Sequence, residues 1–143
     1  MSLTSKIVHA ERRYSVKEHE VKKRRLTISH HHKPNRHIMF HAHVYFPLKN
    51  IAQAEELKNR INAERRDVLT VFPLNMGLVG PHKMPMFEVH FANDDKGFTQ
   101  WLNQARGDFP VLIHPIGDND LIDHTEHAVW LGRELGVFED KLS

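Results

Sequence analysis

Thirteen of the 143 residues are histidine and none is cysteine, so any metal chemistry here falls to imidazole and carboxylate. The lack of thiols excludes disulfides, thiolate zinc sites, iron–sulfur clusters and cysteine nucleophiles together. Several of the histidines recur at strand spacing. His41 and His43 alternate with Ala42 and Val44, Glu88 and His90 with Phe87 and Val89, and His114 follows the apolar run 111–113. Residues two apart on a strand share a face, and neighbouring strands lie about 4.8 Å apart. Antiparallel pairing of these segments would bring His41 beside His90 and His114, with His43 and Glu88 one step along. Imidazoles with a carboxylate form a donor set suited to Fe(II), Mn(II) or Zn(II). Against this stands the commoner fate of a strand histidine, a surface or satisfied half-buried group. The metal reading, with His41, His43, His90 and His114 as ligands, rests on several histidines converging on one face.

The elements that would position them follow from periodicity. Residues 38–46 alternate, with Phe40, Ala42, Val44 and Phe46 on one side and His41, His43 and Tyr45 on the other, which predicts a strand. Residues 51–66 place Ile51, Ala54, Leu57 and Ile61 at helical spacing. A second strand is expected at 68–74, with Pro73 limiting it to an edge or an early end. The stretch 75–82 holds Gly77, Gly80 and Pro81 and reads as a loop. A third strand is expected at 84–91, then a helix at 97–106 led by Asn93-Asp94-Asp95 and stopped by Gly107. A fourth strand spans 110–114, and a last helix 120–135. This β-α-β-β-α-β-α order is that of the split-βαβ, ferredoxin-like sandwich: an α+β fold with a four-stranded antiparallel sheet, order 4-1-3-2, and helices on one face. The histidines and Glu88 would line the other face.

Length permits one ordinary domain with its own core. The net charge of +2 conceals a division. Residues 1–37 carry ten Lys/Arg against three Asp/Glu, or +7, and residues 38–143 carry ten against fifteen, or −5. We therefore divide the chain into a basic N-terminal extension, 1–37, and a domain, 38–143. Within the extension, 14–17 and 26–29 are short strand candidates, 18–25 a helical turn, and the His30-His31-His32 run before Pro34 a loop. A basic arm invites a nucleic-acid reading. However, Tyr14 is its lone aromatic, and the sheet face offers histidines and Glu88 instead of paired aromatics for stacking. No apolar leader follows Met1, and no stretch approaches the ~20 apolar residues of a membrane helix, so a cytoplasmic protein is expected. The polar sheet face is also a candidate homodimer surface.

A series of local motifs adds to this reading: His41-Ala42-His43-Val44-Tyr45-Phe46; Gly80-Pro81-His82-Lys83-Met84-Pro85-Met86; Arg106-Gly107; Ile113-His114-Pro115; and Asp123-His124-Thr125 through Trp130-Leu131-Gly132. In that order and spacing they resemble the DOPA 4,5-dioxygenase family over about residues 38–133. The resemblance implies a ferredoxin-like fold and extradiol cleavage of a small DOPA- or caffeate-like catechol by O₂ with non-haem Fe(II), Zn or Mn being able to replace iron in a purified sample. The family's repeated histidines fall on His41, His43, His82, His114 and His124. The chain departs from the family pattern at Lys83, at Ile116-Gly117 and at His90, which bears most on substrate identity.

Under that resemblance His82 and His124, placed in or beside loops, are the candidate acid/base pair, since an imidazole near neutrality both takes and gives protons. Tyr45, Glu88 and Arg106 are the candidate substrate contacts. Four of these have a plainer alternative: a capped loop residue for His82, helix-end solvation for His124, packing for Tyr45, and complementing a helix terminus for Arg106. The alternative function is a non-catalytic, histidine-rich metal-binding or regulatory protein of the same fold.

Overall fold

The computed structural model describes residues 38–94 and 96–142. The elements expected within 1–37 lie outside the described residues. The order is β1 (Met39–Tyr45), α1 (Ile51–Glu64), β2 (Thr70–Val71), β3 (Met86–Ala92), α2 (Phe98–Ala105), β4 (Val111–Pro115), α3 (Asp120–His124) and β5 (Val129–Leu131), with single 3₁₀ turns at Leu48–Asn50 and Glu139–Lys141. The strands form one antiparallel sheet in the order β2-β3-β1-β4-β5. The four strands expected from the sequence keep their order of neighbours, but β5 lies outside β4. The four-stranded sheet is therefore corrected to five.

The correction has a local cause. The helix expected over 120–135 ends at His124, and the chain turns back as a strand. Val129, Trp130 and Leu131 combine β-branched and aromatic side chains that alternate between faces, and this outweighs the helical spacing read there. Gly132, at φ 76°, turns the chain out of β5, a backbone conformation that glycine adopts freely. The expected strand at 68–74 shrinks to two residues because Pro73 has no N–H to continue the ladder.

The side chains of β1 explain the layering. Phe40, Ala42, Val44 and Phe46 pack with Phe87, Val89, Phe91, Val111 and Ile113 under Ala54, Leu57 and Ile61 of α1 and Phe98 and Leu102 of α2. Both long helices thus cover one face of the sheet. The other face is only partly open. Tyr45, Met86, Leu112 and Trp130 form a second, smaller core with Ala128 and Val137, and the segment after β5 crosses them. Its Phe138 N–H donates to Pro81 O at 2.8 Å. The histidines are left between this covered end and the open end of the face. No helix among the described residues is long and apolar enough to cross a membrane.

Candidate functional site

Sheet register assembles the histidines. His41 on β1 pairs directly with His90 on β3 and with His114 on β4, giving a row across three strands. His43 follows, opposite Glu88 and Leu112. The juxtaposition of His41, His90 and His114 read from the sequence is therefore present. Two further imidazoles arrive from outside the sheet. His82, on the loop tied to Phe138, brings its ring centroid to 4.1 Å from that of His43, and His124, at the end of α3, lies 3.9 Å from His114. The helix that carries His124 is pinned at both ends. Asn119 Oδ1 accepts from Ile122 N–H, and the buried Asp123 carboxylate accepts from Gly117 N–H at 2.7 Å. A β-carbon at Gly117 would come within 3.1 Å of Asp123 Oδ1.

Hydrogen-bond partners determine which ring nitrogens carry lone pairs. His114 Nδ1 lies 2.9 Å from Pro115 O, and His124 Nδ1 lies 2.8 Å from Asp120 O. A carbonyl oxygen only accepts, so each Nδ1 carries the proton and each Nε2 a lone pair. His43 Nε2 then sits 3.0 Å from His114 Nε2, deep in the molecule, where both residues are 2% exposed. His43 Nδ1 is buried and makes no well-aligned hydrogen bond, although Glu88 Oε1 lies 3.4 Å from it. Burial, followed by neighbouring imidazoles, drives His43 well below the usual histidine range. Burial is also the first cause that lowers His114 to about 3, aided by His124, and His82 to about 4, again aided by His124. His41 falls to about 4 through burial and then His90. At neutral pH these four rings are uncharged and able to donate lone pairs.

This arrangement fits a divalent cation. Two nitrogens 3.0 Å apart subtend about 90° at an ion bound at about 2.1 Å, the angle between neighbouring ligands of an octahedron. Ligand atoms of His41, His43 and His114 converge within 4.8 Å of one another, as do those of His43, His82 and His124. Atoms of His41, Glu88 and His90 also converge, but here the rings decide otherwise. His41 and His90 stack at 3.6 Å with 3° between their planes, so their in-plane lone pairs run side by side instead of meeting. His90 Nε2 already holds Glu88 Oε2. His90 therefore stands with His41 and Glu88, beside the group of His41, His43 and His114.

The expected substrate contacts are distributed differently. Tyr45 is fully buried, which raises its hydroxyl pKa; its oxygen lies 2.7 Å from His82 Nδ1, and its ring stacks on Trp130. It therefore contacts His82 and lies within the second core. Glu88 is half-buried among His41, His43 and His90. Arg106 stands at the end of α2. Its Nε donates to Asn103 Oδ1 at 2.9 Å and its guanidinium to Gly107 O at 3.2 Å, serving the carbonyls and side chains where α2 ends. The sequence reading missed a wall: a cavity of about 190 Å³ beside His124, lined also by Thr125, Trp130, Glu134, Val137 and Glu139. The only sequence signal for it was the Trp130-Leu131-Gly132 motif, hidden inside the expected helix.

Comparison with known proteins agrees with this geometry. A profile of the Dopa 4,5-dioxygenase family matches residues 40–140. An uncharacterised 21.2-kDa protein of Botryotinia fuckeliana is 33% identical over 108 residues, covering 67% of this chain and 58% of its own length. A DOPA 4,5-dioxygenase of Amanita muscaria is 29% identical over 101 residues, covering 65% of this chain and 44% of its own. The chain thus spans about half the length of these curated relatives. In three dimensions it is similar to the crystal structure of a candidate dioxygenase from Nostoc punctiforme, with a TM-score of 0.67, 28% identity, and coverage of 73% of this chain and 90% of that one. With the family profile spanning most of the chain and every one of the five ordered motifs, the protein belongs to the Dopa 4,5-dioxygenase family.

Proposed function

We propose that this protein is an extradiol ring-cleaving dioxygenase of a small catechol, with non-haem Fe(II) held by His41, His43 and His114. One observation carries the metal reading: the two buried Nε2 atoms 3.0 Å apart, one with its proton committed to the other side of the ring. Without a cation, His43 must either face a lone pair with its own or leave Nδ1 without a hydrogen to offer Glu88. A shared ion removes that conflict. When bound, iron would supply open positions where catechol and O₂ meet and a path for electrons between them.

The remaining work falls to the chain's own side chains. The Tyr45 hydroxyl can accept from His82 Nδ1–H, which would leave the neutral ring a lone pair on Nε2 to take a proton from the substrate side and return it as the imidazolium. His124 presents an Nε2 lone pair beside the cavity and is suited to take a proton from a catechol hydroxyl. Trp130, Val137 and the chain around them exclude water from that side. Family membership and the activity of the Amanita muscaria relative support the reaction class.

Anaerobic loading with Fe(II), followed by oxygen-uptake measurements on a catechol panel that includes DOPA and caffeate, tests the proposal. Oxygen consumption with a yellow ring-cleavage product is expected. A protein that binds iron at the site yet consumes no oxygen with any catechol would be the metal-binding alternative.

A further inference from the structure

Glu88 stands on β3 directly opposite His43. Its Oε2 binds His90 Nε2 and lies 3.7 Å from His41 Nδ1, while its Oε1 lies 3.4 Å from His43 Nδ1. One carboxylate therefore faces three imidazoles. Resting on the metal reading above, we propose that Glu88 is a positioning residue: with the metal bound, its carboxylate favours the proton on Nδ1 of His43 and of His41 and thereby keeps their Nε2 lone pairs on the metal.

Three features favour this over the substrate contact expected from the sequence. First, an ionised carboxylate only accepts, so a ring nitrogen facing it is most stable protonated. That leaves His43 Nε2 bare at its meeting with His114 Nε2, which is bare for the parallel reason that Pro115 O holds its other nitrogen. Second, Glu88 addresses the Nδ1 side of His43, across the ring from His114, so it does not reach the ion that Nε2 reaches. Third, both carboxylate oxygens face imidazoles, and the open side is walled by His90, which stacks on His41 and meets the edge of Phe72. Carboxylates behind metal-bound histidines fix the tautomer and raise ligand basicity, and their loss typically lowers metal affinity 10–100-fold.

Two measurements on the full chain test it. The first is the ¹⁵N spectrum of the histidine rings in Zn(II)-loaded protein, which reports which ring nitrogen meets the metal and which keeps its proton. The His43 proton is expected on Nδ1 in the wild type and divided between the two nitrogens in Glu88→Ala. The second is the affinity for Zn(II), an air-stable probe ion, by chelator competition. A loss of about 10–100-fold is expected in Glu88→Ala and a smaller one in the isosteric Glu88→Gln, whose amide oxygen still accepts one proton. A wild-type His43 protonated on Nε2, or unchanged Zn(II) affinity in both variants, would overturn the proposal. Zn(II) loss as complete as in His114→Ala would overturn it too, by making Glu88 a ligand. Failure of the metal reading has a separate signature: His114→Ala would keep wild-type affinity, and the ring spectrum would still decide the role of Glu88.

Discussion

Each imidazole in this site has two nitrogens with different neighbours, and the neighbour of one sets the work of the other. His114 and His124 hand their Nδ1 protons to carbonyls of their own local backbone, Pro115 and Asp120. These are short-range contacts, built into the strand end and the helix turn. His82 differs, because its Nδ1 meets a hydroxyl from another strand, Tyr45. A hydroxyl both donates and accepts, so His82 can change tautomer without leaving its partner, a property suited to proton transfer. The expected outcome for His82→Gln is a fall of about 10²–10⁴ in kcat with metal retained, since glutamine preserves hydrogen bonding but cannot cycle a proton. His114→Ala, by contrast, is expected to lose the metal. If His82→Gln lost metal to the same extent, His82 would be a ligand.

Among the elements, α3 has the least to hold it. Five residues form little more than one helical turn, and such a turn gains almost nothing from propensity alone. The buried Asp123 supplies the anchor through Gly117 N–H. Asp123→Ala is expected to cost about 1.5–3 kcal/mol, the range for a hydrogen bond to a charged group, and to raise amide exchange at Gly117. Unchanged melting and unchanged exchange would show that α3 is held by other contacts. The limits of the sequence reading also lie at this scale. The long elements were legible because β1, β3, α1 and α2 each carry many apolar residues at one period, and the register of β1 with β3 and β4 then placed His41, His90 and His114 correctly. Residues 125–135 misled because Ala128, Leu131 and Leu135 fit helical spacing equally well, and short runs carry too few turns to separate the two periods. The helix expected there hid β5, and with it the wall of the cavity. The contacts of Arg106 were not legible, because its motif position says nothing about which face of α2 its guanidinium leaves.

For the whole molecule, neutral buried histidines link folding to acidity. His41, His43, His82 and His114 all have folded pKa values below their ordinary 6.5, chiefly through burial. Above pH 6.5 neither the folded nor the unfolded chain protonates them, and they leave stability unaffected. As pH falls below 6.5, the unfolded chain binds protons that the folded chain refuses, so stability declines until the folded rings titrate near pH 3 to 4. The melting temperature of the metal-free protein is therefore expected to drop steadily between pH 6.5 and 4. A bound metal adds to the slope, because protons compete for the same nitrogens. A melting temperature flat from pH 7 to 5 would mean that these rings are open to solvent.

The bond between Phe138 N–H and Pro81 O also bears on the timing of synthesis. Among the described strands β1 is the first to leave the ribosome, yet it waits for residues 86–92 and 111–115 before either flank is paired, and His82 waits for residue 138 before its loop is secured. Such long-range closures slow folding. The nascent chain therefore presents His41 and His43 long before His114, and the three meet only once β4 has paired with β1.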